Sequence, residues 1–84
     1  MPTRTMEYAL QTWRDGERVL ESQPIGSAER KRVSTAIIEV RAVYASLAEM
    51  TDVSAEYLDA ARKVIDEARI AIDSVNVPRP RNVI

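Results

Sequence analysis

Residues 27–50 read SAERKRVSTAIIEVRAVYASLAEM, and this stretch decides the fold. Neither Gly nor Pro occurs between Gly26 and Pro78, so nothing there interrupts a helix. Strict polar–apolar alternation over strand length is absent, and β-branched residues do not cluster between turn signals. Val33, Ile37, Val40, Tyr44 and Leu47 recur at spacings of four and three, as do Ala36, Val40, Val43, Leu47 and Met50. Together they make an apolar face wider than a two-helix seam needs, which predicts a helix with two neighbours. Ile38 falls outside that face and is expected at the surface. Ser27 is a good N-cap, and Glu29 in the first turn complements the helix dipole.

Upstream, Met6, Leu10, Trp13 and Leu20 recur at helical spacing with Ala9 beside them, and Pro24 and Gly26 end the segment. Gly16 lies inside this pattern. It reads as a tolerated weak spot costing about 1 kcal/mol relative to Ala, with a kink or a close backbone contact as the alternative. Downstream, Leu58, Ala61, Ile65, Ala68, Ile72 and Val75 form a third stripe, flanked by Tyr57 and Val64. Ser54 as N-cap would place Val53 and Leu58 at the positions of a hydrophobic staple. Asp59–Lys63, Lys63–Glu67 and Arg69–Asp73 are opposite-charge pairs four residues apart on the other face. The repeated tripeptide Ser27-Ala28-Glu29 and Ser54-Ala55-Glu56 is explained by common helix-start chemistry.

The expected fold is all-α: a small up-down-up three-helix bundle, with helices at about 4–22, 28–50 and 55–75, each about 30 Å long. A helical hairpin whose third helix pairs between subunits is the competing arrangement. Residues 76–84 are a different material. Pro78-Arg79-Pro80-Arg81 cannot continue a helix and reads as an extended, polyproline-like tail.

Eighty-four residues make one domain, and one this small gains from disulfides, a metal or an oligomer interface. The chain has no Cys and no His, which excludes disulfides, thiolate zinc sites and the commonest general base. Oligomerisation or docking onto a partner remains. A net charge of −1 gives no bulk attraction to nucleic acid or an anionic membrane. Arg4, Glu7, Arg14, Asp15, Glu17 and Arg18 make the first twenty residues unlike a signal peptide or a membrane span. A cytoplasmic location is expected, and the absence of Cys fits a reducing compartment.

Four features are candidates for function. Arg30, Lys31 and Arg32 oppose the dipole at the start of helix two, and with Arg41 form a basic patch suited to phosphate or an acidic surface. The competing reading is a solvated face balanced by acids. Residues 51–74 carry six acids (Asp52, Glu56, Asp59, Asp66, Glu67, Asp73) against three bases (Arg62, Lys63, Arg69), a face for a basic partner or for the triplet itself. Trp13 and Tyr44 lie on apolar stripes and read as core. Tyr8, Ile38 and Tyr57 read as interface anchors. In the tail, Val77, Pro78, Arg79, Pro80, Arg81, Val83 and Ile84 form a stiff segment able to dock on a partner, with a frayed terminus as the alternative.

No catalytic, cofactor-binding or metal-binding residues are assigned. Ser34, Ser46, Thr35, Lys31 and Lys63 belong to no nucleophile motif, and no Gly-rich phosphate loop exists. The expected function is a non-enzymatic protein–protein interaction module: a small helical subunit, adaptor or binding inhibitor, partnered by another protein or by itself. A nucleic-acid-binding or regulatory protein using the basic start of helix two is the alternative. The size and the lack of motifs fit an accessory protein of a phage or mobile element.

Overall fold

The second and third helices start where the chain supplies a serine hydroxyl to cap them. The computed structural model describes residues 3–75, as α1 (Thr3–Glu21), α2 (Ala28–Glu49) and α3 (Ala55–Val75). These bounds lie within one residue of those expected. Ser27 is extended (φ −75°, ψ 156°), and its Oγ accepts from the N–H of Arg30 at 3.0 Å. Ser54 does the same for α3, accepting from the N–H of Tyr57 at 3.1 Å. In the turn from Pro24 to Ser27 the N–H of Ser27 donates to the carbonyl of Pro24 at 3.1 Å. Gly26 adopts φ +86° there, a backbone that side chains rarely tolerate.

The topology is up-down-up. Trp13 meets Tyr44 and Gly16 meets Ile37, so α1 and α2 are antiparallel. Tyr8 pairs with Asp66 and Asp15 with Arg69, so α1 and α3 are parallel. All three helices pack on one another, with α2 contacting both neighbours most extensively, as its wide apolar face requires. The third helix therefore closes the bundle within one chain.

The core is built from Val33, Ala36, Ile37 and Val40 of α2, Ile65, Ala68 and Ile72 of α3, and Ala9 and Val19 of α1. Here α1 differs from expectation. Its buried line is Ala9, Thr12, Gly16 and Val19, whereas Met6, Leu10, Trp13 and Leu20 sit half-buried on its flanks. The reason is close approach. A Cβ on Gly16 would lie 2.9 Å from Cγ1 of Ile37 and 3.0 Å from Cδ1 of Ile72. Gly16 is thus a close contact point between all three helices, the alternative to a tolerated weak spot. Thr12 is fully buried, and its hydroxyl has no hydrogen-bond partner among the described residues.

Polar links tie α1 to α3. Nη1 of Arg69 donates to Asp15 at 2.7 Å, and Nε of Arg69 lies 3.5 Å from Asp73. Of the three ion pairs expected along α3, Arg69–Asp73 is the one within pairing distance. Asp59, Lys63 and Glu67 are exposed and stay solvated.

Candidate functional site

The outward side of α2 carries the least expected chemistry. A half-apolar helix would turn charges outward there, opposite Val33, Ala36, Ile37, Val40 and Leu47. Instead Ile38, Ala42 and Ala45 follow one another at i, i+4 and i+7, all exposed, with Ile38 at 61%. Beside them Trp13 and Tyr44 meet edge to face, centroids 6.1 Å apart at 70°. Both are half-buried at the rim of the core and not inside it. The guanidinium of Arg41 lies 5.3 Å from the Trp13 centroid, and Nε1 of Trp13 donates to Glu17 at 3.0 Å. Trp13, Ile38, Arg41, Ala42, Tyr44 and Ala45 line a shallow hollow on this face.

A second concavity runs between α2 and α3. Its floor is small, made by Ala28, Thr35, Ala36, Ala68 and Ala71, and its rim carries Lys31, Arg32, Glu39 and Glu67. A rim of mixed sign has no bias toward an anion or a cation, and alanine methyls offer no reactive group.

The structure disperses the basic patch. Arg30 turns back toward α1, and its Nη1 donates to the carbonyls of Leu20 (2.8 Å) and Gln23 (3.0 Å). Leu20 lies in the last turn of α1 and Gln23 in the turn just after it, so the guanidinium sits at the negative pole of the α1 dipole. Arg41 is engaged with Trp13. Lys31 and Arg32 remain exposed, with no carboxylate in ion-pair distance among the described residues. No acid of α3 receives the triplet.

Of the expected anchors, Ile38 stands on the outer face of α2 and Tyr57 is half-buried near the start of α3. Tyr8 is half-buried against the flank of the core, donating to Asp66 while Arg62 stacks 5.5 Å from its ring centroid. Burial pushes the Tyr8 hydroxyl above the ordinary tyrosine value, and the hydrogen bond to Asp66 adds to this. The guanidinium of Arg69 is held protonated more firmly than usual by its hydrogen bond to Asp15. The tail candidates Val77, Pro78, Arg79, Pro80, Arg81, Val83 and Ile84 lie outside the described residues.

Sequence reasoning missed Ala42 and Ala45 as surface residues in line with Ile38. Extending the i, i+4, i+7 reading from Ile38 finds them. Ile70, 68% exposed among Asp66, Glu67 and Asp73, is a lone surface isoleucine. Among the described residues no group of three or more His, Cys, Asp or Glu is arranged to hold a metal, and no helix is long and apolar enough to cross a membrane.

Compared with known proteins, the chain matches no family model, no curated protein and no solved structure. The candidate site therefore rests on geometry.

Proposed function

We propose that this chain is a non-enzymatic protein–protein interaction module, a small helical subunit, adaptor or binding inhibitor that works through the outer face of α2. One observation carries the reading: the line Ile38–Ala42–Ala45 stays exposed although the bundle core is already complete without it. Beside this stripe, Trp13, Tyr44 and Arg41 are the residue types enriched at interface centres, and Glu39 adds a polar rim. The lack of His and Cys supports a binding role over a catalytic one. The cytoplasm is the compartment this reading assumes, and a phage or mobile-element accessory protein is one setting that the size suits.

A photo-crosslinking residue at position 42 of the full chain, compared with one at position 59 on the exposed face of α3, tests the reading in the producing cell. Adducts at 42 and none at 59 support it. Equal or absent labelling at both contradicts it. The nucleic-acid alternative would depend on Lys31 and Arg32, since Arg30 is engaged with the end of α1. Binding that falls steeply with added salt and disappears in Lys31→Ala/Arg32→Ala would favour it.

A further inference from the structure

The outer face of α2 is complementary to itself. Lys31, Ile38, Ala42, Ala45 and Glu49 follow at intervals of seven, four, three and four, a single stripe along the helix. Ile38 projects from it as a knob. On its C-terminal side lies the hollow floored by Ala42 and Ala45 and walled by Trp13 and Tyr44. A cation closes one end of the stripe and a carboxylate the other. Lys31 and Glu49 are both exposed, and neither has an ion-pair partner among the described residues. Basic residues at the start of α2, with Glu49 at its end and Asp52 just beyond, oppose the dipole of a single helix. The same inversion becomes favourable when two such helices lie antiparallel, because each basic start then meets an acidic end.

We infer that the partner at this face is a second copy of the chain, with the two α2 helices crossing nearly antiparallel about a two-fold axis opposite Val40. The inference rests on the interaction-module reading above and names its partner. In this register Lys31 faces Glu49 of the second copy and Ile38 lands on its Ala42, each contact occurring twice by symmetry. The alanines let the helix axes approach to about 8 Å, the close end of the usual range. A parallel pair would set Lys31 against Lys31, Glu49 against Glu49 and knob against knob, leaving the hollows unfilled. A small domain without disulfides also gains stability from such a pairing.

Sedimentation equilibrium of the full chain, from about 1 μM to about 1 mM, tests the inference. The mean mass is expected to rise from that of one chain toward that of two. Ile38→Glu is expected to weaken the dimer about 100-fold or more, as loss of an interface anchor does. Lys31→Glu and Glu49→Lys are each expected to weaken it about 3- to 10-fold, and the double variant to restore it. A parallel dimer would not respond to the single reversals. Circular dichroism is the control, and these exposed substitutions are expected to leave the helical signal unchanged. A chain that stays monomeric throughout, or a dimer indifferent to Ile38→Glu or to the charge reversals, overturns the inference. In that event the crosslink at position 42 separates the two claims: an adduct with a different protein removes self-pairing alone, and no adduct removes the interaction-module reading as well.

Discussion

Ile37 and Ile38 are adjacent in the chain, and α2 sends them to opposite faces. Ile37 is 6% exposed and fits against Gly16 of α1, whereas Ile38 is 61% exposed and touches the hollow beside Trp13. The inner face of α2 is answered residue by residue: Ile37 by the missing side chain of Gly16, the wide apolar stripe by two helices. The outer face carries an apolar stripe without an answer among the described residues. A helix needs one such stripe to join a bundle, so a second reports a demand that the fold itself does not make.

The sharpest way to break that contrast is to shorten the inner isoleucine. Ile37→Ala should cost about 2–5 kcal/mol by leaving a cavity, out of a total stability of about 4–13 kcal/mol for a chain of this length. Chemical denaturation would measure it, and a loss under 1 kcal/mol would mean that the inner face is looser than its burial implies. Filling the opposite side of the same contact comes next. Gly16→Val should destabilise by about 1–3 kcal/mol through overpacking against Ile37 and Ile72, although Val is the better helix former. A stabilised variant would restore the weak-spot reading of Gly16. Thr12 offers a smaller effect of opposite sign. Thr12→Val keeps the shape and removes an unpaired buried hydroxyl, so a gain of about 1 kcal/mol is expected, read as a raised denaturation midpoint.

The smallest effect concerns pH. The Tyr8 hydroxyl holds its proton more tightly in the folded chain, through burial first and Asp66 second. A raised folded-state value gives stability that is fully present below about pH 10 and lost as pH rises through that value. Wild-type stability should therefore fall more steeply in strong base than that of Tyr8→Phe, and parallel curves would remove Tyr8 from the account.

Much of this architecture was legible before any coordinates. Ser27 and Ser54 announced two helix starts because a cap is a local device: the hydroxyl reaches an N–H three residues on. The width of the α2 stripe announced two neighbours for the same reason, since periodicity is written within one helix. What escaped depends on a second helix. The choice of Ala9, Thr12, Gly16 and Val19 as the buried line of α1, over the larger Met6, Leu10 and Trp13, is set by how closely Ile37 and Ile72 approach, which no pattern within α1 encodes. Arg30 looked like part of a phosphate-binding patch because the carbonyls that it meets, at the end of α1 and just beyond, are seven and ten residues upstream. The line Ile38–Ala42–Ala45 was half legible. Its leading isoleucine stood out, but alanines fit surface and core equally well and gave no signal of their own.

The central claim is that the outer face of α2 serves association and not folding. Thermal unfolding of the wild type and of Ile38→Glu, each at two concentrations about 100-fold apart, tests it most directly. The account predicts a wild-type Tm that rises with concentration, and an Ile38→Glu Tm that does not and that lies within about 3 °C of the dilute wild type. An Ile38→Glu chain that melts far below the dilute wild type would contradict the account, because it would make Ile38 part of the fold of the single chain.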